Sequence, residues 1–464
     1  MRQPRAMVLI TLAAAVASLV GSVRADEAAI TRDIAAFFAD TDVAQRRELA
    51  ARIQADPAYD RARVPSWLHA AGLFRPLLPG RQSVRVELGG GTNREITLRL
   101  PRDYDASKPW PLIYALHGAG GNGDEIIRYV ERVLAGQTEE FVVAAPSQYG
   151  EIVIHDTVWP PVGEHRAALH TIRQKVHVDS NRVYLMGYSR GGHGTWTVAV
   201  QYGDQFAAAM PLAGTFNLVG VDCLWDTFLP NVASLPMLCV WGTDDIYDDA
   251  HQPSPHGGIA GLNRKLRDHA RTLGLPLTAI EQRGVGHSNV VPPPDELRRF
   301  LSHSRVQHPA SVSHTFRHQQ QGSAYWIEPH RWTGGQWDDQ PIRISHRDGE
   351  DALNPDDRCK PIVRAYGAGL ATLQGQIDGQ SIRVKRKKID ELTVWIGDGM
   401  IDWDKPVTLF VSGRRVFEGA VTPDLYVCLS QAARTWDFDR LRWAGLRFRS
   451  RTRTRLVDAD TDFP

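Results

Sequence analysis

The chain has 464 residues, more than one domain of ordinary size needs, so two domains with additional segments are expected. Hydrophobic residues make up 42% and charged residues 23%, as in ordinary globular proteins, and the formal net charge of +1 argues against binding to nucleic acid or an anionic membrane. No two of the four cysteines form a short-spaced pair, which excludes the common zinc and redox motifs.

The N-terminus has the pattern of a secretory signal peptide. Arg2 and Arg5 precede an apolar stretch over residues 6–23, and Val23-Arg24-Ala25 fits a small-x-small cleavage site. We therefore expect residues 1–25 to be removed and the mature protein to be periplasmic or secreted. An uncleaved membrane anchor is the alternative for this stretch. No other segment is apolar over a sufficient length, so stable membrane insertion is not expected.

Residues 26–81 predict an N-terminal helical extension, because Ile30, Ile34 and Phe37 recur at helical spacing. After it, alternating apolar residues over 84–100 predict an antiparallel edge hairpin.

A continuous apolar run over residues 111–116 predicts a central parallel strand covered on both faces. It leads into the glycine-rich turn 117–123, where the backbone amides of Gly118 and Ala119 are expected to approach a developing oxyanion. The turn could instead bind a phosphate, but acidic residues at 124–125 replace the lysine and hydroxyl that such a loop requires.

The most informative motif is Gly187-Tyr188-Ser189-Arg190-Gly191. A β-branched and aromatic run leads into it and a helix-compatible run leads out, which is the context of a nucleophile elbow. The glycines are required because a side chain at either flank would collide with the neighbouring strand or helix. Ser189 is therefore the predicted nucleophile, and the amide of Arg190 is expected to join the oxyanion hole.

A serine nucleophile needs a histidine base and an acid, which follow it in the order serine, acid, histidine in this type of fold. The apolar run 235–241 ends in a turn that carries Asp244 and Asp245, and a later short strand precedes Gly286-His287. Asp245 is the preferred acid, with Asp244 and Asp248 as competitors.

These motifs resemble the α/β-hydrolase superfamily, and within it the secreted esterases around the polyhydroxybutyrate depolymerase, feruloyl esterase and dienelactone hydrolase groups. The resemblance covers roughly residues 82–303 and implies a mostly parallel central sheet with helices on both faces. It also implies a nucleophile, an acid and a base at Ser189, Asp245 and His287, since the acid of such esterases commonly stands three residues after a glycine. The segments that carry the resemblance are His117-Gly118, Gly187–Gly192, Gly242–Asp245 and Gly286-His287.

Residues 304–325 are rich in histidine, glutamine and serine and predict a linker rather than a metal site. Beyond them, short alternating runs separated by turn signals predict a small β-rich domain over 326–464. Its seven tryptophans indicate core packing more than a sugar-binding surface, and the basic run 385–388 indicates a solvated strand end. Cys223 is a candidate to bridge Cys239, which is equally well explained as a buried core thiol.

The expected function is two-step acyl transfer from a carboxylic ester of a small molecule, carbohydrate or polymer, without metal or cofactor. Two alternatives remain at this stage. One is a serine peptidase of the prolyl oligopeptidase type, which shares the fold and the order of the three residues. The other is a non-catalytic binding protein built on a hydrolase scaffold.

Overall fold

The computed structural model describes residues 27–87, 93–147, 164–216, 222–246, 257–333 and 355–457. The predicted signal peptide lies outside these residues, and so does Asp248. In the described part, no helix combines the length and the apolar character that crossing a membrane requires.

The N-terminal extension consists of helices, as predicted. Helix α1 covers residues 27–39, α2 covers Val43–Ala55 and α3 covers Val64–Ala70. The side chain of Asp42 caps α2 by accepting a hydrogen bond from the amide of Gln45, and the predicted apolar face of α1 is buried.

An eight-stranded sheet forms the centre of the expected catalytic domain, roughly residues 82–303, in the order β1-β2-β4-β3-β5-β6-β7-β8. The first two strands form the predicted antiparallel hairpin, β2 pairs antiparallel with β4, and all later pairs are parallel. This is the sheet of the α/β-hydrolase fold. The strands are β1 Gly80–Glu87, β2 Asn93–Leu100, β3 Trp110–Leu116, β4 Val142–Ser147, β5 Val178–Tyr188, β6 Ala208–Leu212, β7 Met237–Gly242 and β8 Leu277–Gln282.

Helices cover both faces of this sheet, which explains why every residue of β3 and β7 is buried. One apolar cluster joins one face of the sheet to α5, α6, α7 and α8, and a second cluster joins the opposite face to α4 and α9. The helices are α4 Gly123–Leu134, α5 Glu164–Lys175, α6 Arg190–Tyr202, α7 Trp225–Phe228, α8 Gly258–Thr272 and α9 Pro294–Leu301.

The C-terminal part contains two further sheets around one apolar cluster. Their strand orders are β15-β14-β12-β11-β9 and β10-β13-β16-β17. The elements are β9 Ser311–Phe316, β10 Ile327–Trp332, α10 Pro355–Gly369, β11 Ala371–Asp378, β12 Ser381–Lys387, β13 Ile389–Ile396, β14 Val407–Val411, β15 Arg414–Gly419, α11 Leu425–Thr435, β16 Ala444–Arg449 and β17 Arg455–Leu456.

The structure corrects the predicted linker. Residues 311–316 form β9, which pairs antiparallel with β11 and buries Val312, His314 and Phe316. Apolar and polar residues alternate over part of this strand, but the polar composition of 304–325 favoured a linker. His314 explains the error, since this ring is buried and bonded to the carbonyl of Gln321 rather than exposed.

The cysteine pairing also differs from the sequence-based candidate. Cys223, in the loop before α7, forms a disulfide with Cys359 of α10, with their Cα atoms 5.1 Å apart. Cys239 lies in the buried strand β7, where burial raises the pKa of its thiol to about 12. The bridge therefore links the catalytic domain to the C-terminal domain, across 136 residues of sequence.

Buried ion pairs connect the C-terminal domain to the segment that follows α9 and to the catalytic domain. Arg305 binds both carboxylate oxygens of Asp437, at 2.6 and 2.9 Å, and the side chains of both residues are almost fully enclosed. Arg440 likewise reaches the carboxylate and the carbonyl of Asp204. Since a buried charge is stable only with a partner, these pairs hold the domains in one arrangement.

The structure agrees with the predicted core packing for most tryptophans, although Trp403 is half-buried, and it agrees with the predicted solvated strand end only in part. Trp326, Trp332, Trp395 and Trp443 are buried, while Trp337 lies outside the described residues. In the basic run 385–388, Lys385 and Lys387 are exposed as predicted, whereas Arg386 is half-buried and bonded to Ser450, and Lys388 lies over the Trp332 ring.

Candidate active site

Ser189 occupies a sharp turn between β5 and α6. Its φ of 58° and ψ of −119° place it in a conformation that non-glycine residues rarely adopt. Two backbone hydrogen bonds hold this turn. The amide of Ser189 donates to the carbonyl of Leu212 at the end of β6, and the carbonyl of Ser189 accepts from the amide of His193. The serine side chain does not cap α6, so its hydroxyl remains available for another partner.

The flanking glycines permit this turn because side chains there would collide with backbone atoms. A Cβ on Gly187 would lie 2.0 Å from the carbonyl oxygen of Gly191, and a Cβ on Gly191 would lie 2.0 Å from that of Leu116. Both distances are far shorter than any van der Waals contact. The elbow motif is thus a packing requirement at the crossing of α6 with β3 and β5.

A continuous hydrogen-bonded chain connects Ser189, His287 and Asp245. His287 Nε2 lies 2.8 Å from Ser189 Oγ, and Nδ1 lies 2.9 Å from Asp245 Oδ2. Asp245 is buried after β7, whereas the His287 side chain is 40% exposed. The structure thus brings the three predicted residues together from three separate loops at the carboxyl end of the sheet.

The competing carboxylates have different positions. Asp244 is exposed, and its carboxylate accepts a hydrogen bond from the hydroxyl of Thr243 rather than from His287. Asp248 lies outside the described residues. Among the described carboxylates, Asp245 is therefore the one that contacts the histidine.

The predicted oxyanion loop lies beside the serine. A Cβ placed on Gly118 would be 3.5 Å from the Cβ of Ser189, so this loop adjoins the elbow directly. The carbonyl of Gly118 accepts from the amide of Gly121, and within the described residues the amides of Gly118 and Ala119 donate to no backbone carbonyl. Arg190 begins α6, so its amide is among those without an intrahelical acceptor.

Two tyrosines at the site escaped the sequence analysis. Tyr188, within the elbow motif itself, donates its hydroxyl hydrogen bond to the carbonyl of His287, and Tyr129 of α4 donates to the carbonyl of Val290. Tyr188 stood within the elbow motif, so the sequence analysis could have asked what its side chain contacts. Tyr129 belongs to an ordinary amphipathic helix and gave no signal.

The site is built from a hydroxyl, an imidazole, a carboxylate and backbone amides. Within the described ranges, no group of three or more histidine, cysteine, aspartate or glutamate side chains has a metal-binding arrangement.

This chain is similar to several known hydrolases. A model of the prolyl oligopeptidase family matches residues 137–250, which include Ser189 and Asp245 but end before His287. A probable feruloyl esterase C of Aspergillus niger is 30% identical over 132 residues, covering 26% of this chain and 46% of that protein. Dipeptidyl-peptidase 5 of Porphyromonas gingivalis is 28% identical over 142 residues, covering 28% and 20%. The chain thus spans less than half the length of either relative.

Among solved structures, a poly(3-hydroxybutyrate) depolymerase from Bordetella parapertussis is 18% identical with a TM-score of 0.37. The match covers 48% of this chain and 95% of that protein.

Proposed function

We propose that this chain, which belongs to the α/β-hydrolase superfamily, is a serine hydrolase that cleaves carboxylic esters. The observation that carries the proposal is the chain of hydrogen bonds from Ser189 through His287 to buried Asp245. A serine hydroxyl is a weak nucleophile on its own, and a histidine held by a carboxylate is the usual means of activating it.

In the first step, Ser189 Oγ attacks the ester carbonyl carbon while its proton passes to His287 Nε2. Asp245 keeps the other ring proton on Nδ1 and stabilises the imidazolium that forms. The amides of Gly118, Ala119 and Arg190 are positioned to stabilise the negative oxygen of the tetrahedral intermediate. The intermediate collapses when the C–O bond to the alcohol breaks and His287 returns the proton to the leaving oxygen.

In the second step, water attacks the acyl group on Ser189. His287 takes one proton from that water, a second tetrahedral intermediate forms, and the Ser189–acyl bond breaks as the proton returns to Oγ. The carboxylic acid leaves and the serine is regenerated. The similarity to feruloyl esterases supports esters of plant or polymer origin as substrates of this chain.

A peptidase is the second candidate, favoured by the match to the prolyl oligopeptidase family. Turnover of p-nitrophenyl esters against aminoacyl p-nitroanilides separates the two functions. The ester proposal predicts turnover of the ester series and negligible release of p-nitroaniline. Faster cleavage of the anilides would favour the peptidase instead, and turnover of neither series, in a folded protein, would contradict both.

We also propose that the protein is exported. The disulfide between Cys223 and Cys359 supports this proposal, because such bonds form and persist in oxidising compartments. Expression of the full chain in a bacterial host with an oxidising periplasm tests it. The mass of the protein recovered from the periplasm or medium should correspond to loss of residues 1–25. Retention of the full-length chain in the cytoplasm or membrane fraction would contradict the proposal.

A further inference from the structure

We propose that Tyr188 and Tyr129 are positioning residues that hold the turn carrying His287, residues 284–290, so that Nε2 of His287 stays within reach of Ser189. The inference rests on the proposed function, because it assigns a role within the same reaction. It goes beyond that function by naming two hydroxyl groups that touch neither the reacting atoms nor the imidazole nitrogens.

Tyr188 links the nucleophile elbow directly to the base. It stands immediately before Ser189 at the end of β5, and its hydroxyl donates to the carbonyl oxygen of His287 over 2.9 Å. Its ring also lies 5.6 Å from the His287 ring, measured between centroids. One residue therefore fixes the distance between the strand that carries the nucleophile and the turn that carries the base.

Tyr129 extends this contact to the far end of the same turn. Its hydroxyl donates to the carbonyl of Val290, which is fully buried, and its ring packs on Tyr188 with the centroids 4.6 Å apart. The guanidinium of Arg132 lies over the Tyr129 ring, 4.8 Å from its centroid. Helix α4 thus braces Tyr188 and holds the exit of the turn at the same time.

The entry to the turn is held differently, by the loop that carries Asp245. The amide of Asp244 donates to the carbonyl of Val285, and the amide of Gly284 donates to the hydroxyl of Thr243. A Cβ on Gly242 would lie 1.9 Å from the Val285 carbonyl, so the two loops are in direct backbone contact there. The entry is therefore tied to the acid, and the exit is tied to the nucleophile through the tyrosines.

Between these two anchors the turn has little packing of its own. Apart from Gly286 itself and its two chain neighbours, no described residue has a heavy atom within 4 Å of a Cβ placed on Gly286, and the following one-turn helix His287–Asn289 has no side-chain cap. The imidazole is also partly exposed. The position of the His287 backbone therefore depends on the hydrogen bond that its carbonyl oxygen accepts from Tyr188.

Both hydroxyls remain donors over the range in which a histidine base works. Burial raises the pKa of Tyr129 and also that of Tyr188, and the nearby Asp245 carboxylate adds to the effect at Tyr188. Neither phenol therefore loses its proton under conditions of turnover.

The matched test compares Tyr188→Phe with Tyr184→Phe. Tyr184 lies on the same strand and also donates its hydroxyl to backbone carbonyls, those of Leu301 and His303, but it does not contact the His287 turn. Both variants lose a hydroxyl that donates to a backbone carbonyl and keep an aromatic ring, so their effects on stability should be similar.

We expect Tyr188→Phe to lower kcat roughly 10-fold with KM within about twofold of wild type, since small displacements of a catalytic group are costly in rate. Tyr129→Phe should lower kcat by roughly 3-fold for the same reason. Labelling of Ser189 by a fluorophosphonate should slow in parallel, because that reaction also needs the base. Tyr184→Phe should leave both rates unchanged.

The inference is overturned if Tyr188→Phe and Tyr129→Phe retain wild-type kcat and labelling rate, or if Tyr184→Phe loses as much as they do. Melting temperatures of all variants show that the enzymes compared are folded, and Tyr129→Phe provides the test independently of Tyr188→Phe. A folded wild-type protein without turnover or labelling would instead overturn the proposed function, and the inference with it.

Discussion

Two of the histidine–carboxylate pairs in the described part of the molecule have surroundings that give them different roles. His287 contacts Asp245 at the end of the catalytic sheet, at 2.9 Å, and His69 contacts Asp439 at the junction of the domains, at 3.1 Å. The third partner differs. His287 faces the hydroxyl of Ser189, whereas His69 faces a second imidazole, that of His177, at 2.9 Å.

The hydrogen bonds at the second ring nitrogen also differ between the two pairs. His177 Nδ1 must donate, because its partner is the carbonyl of Ala106, so its Nε2 accepts from His69 Nδ1. His69 Nε2 in turn contacts Asp439, so both ring nitrogens of His69 are occupied by these two partners. His287, by contrast, satisfies Asp245 with one proton on Nδ1 and keeps a free lone pair on Nε2 for Ser189.

Accessibility separates the pairs as well. The His69 side chain is 17% exposed, between Phe438 and the ring of His177, which in turn stacks on Phe74 with centroids 4.3 Å apart. The junction pair also anchors the backbone, because Asp439 accepts from the amide of Ser180. We therefore propose that the His287–Asp245 pair is catalytic, because its other nitrogen faces a nucleophile that a substrate can reach. We propose that the junction pair serves stability instead.

The largest difference should appear when each carboxylate loses its charge. Asp245→Asn should lower kcat by about 10⁴-fold, because the histidine loses the group that holds its tautomer and stabilises its cation. Asp439→Asn is the matched control and should keep kcat within about twofold. Steady-state ester hydrolysis by both variants measures this, and comparable losses of kcat in the two would contradict the distinction.

The second prediction is the converse, for stability. Asp439→Asn should lower the free energy of unfolding by about 1–3 kcal/mol, since it removes the charged partner of His69 and weakens the bond to Ser180. Asp245→Asn should cost less, because its histidine is more exposed. Thermal or urea unfolding of the two variants provides the comparison. A junction variant as stable as wild type would show that the pair contributes nothing to folding.

A smaller effect is expected from pH. Burial lowers the pKa of His177 from its usual 6.5 to about 4, although the hydrogen bond to Ala106 partly offsets this. The unfolded chain therefore binds a proton that the folded chain does not, and stability falls as pH drops from about 6.5 towards 4. The melting temperature of His177→Gln should depend less on pH between 7 and 5 than that of wild type, by a few degrees. An unchanged dependence would contradict this assignment.

The smallest effect is predicted at the exposed neighbour of the acid. Asp244→Asn should change kcat by less than about twofold, because its carboxylate bonds to Thr243 and lies outside the chain of contacts to Ser189. The rate of ester hydrolysis decides the matter. A loss approaching that of Asp245→Asn would assign the acid to Asp244.

The sequence predicted the catalytic sheet and the three contacting residues because both depend on local rules. The glycines at 187 and 191 report a backbone crossing, and the buried runs that became β3 and β7 report strands covered on both faces. The choice of Asp245 over Asp244 was correct in geometry, but it came from a resemblance and not from the residues themselves.

Contacts between segments that are distant in the sequence could not be predicted from it. Cys359 stands 136 residues from Cys223, and nothing in either local pattern links them. The polar residues of Ser311–Phe316 favoured a linker, because the burial of His314 depends on pairing with β11, which the local sequence does not show. The tyrosine contacts to the His287 turn likewise arise only when α4 packs beside the elbow.

The central claim is that Ser189 is a nucleophile activated by His287, and covalent labelling tests it most directly. The folded protein is treated with a fluorophosphonate and its peptides are analysed by mass spectrometry, beside the His287→Ala variant. The account predicts one adduct, on the peptide that contains Ser189, and strongly reduced labelling in the variant. An unlabelled wild-type protein, or an adduct on another residue, would contradict it.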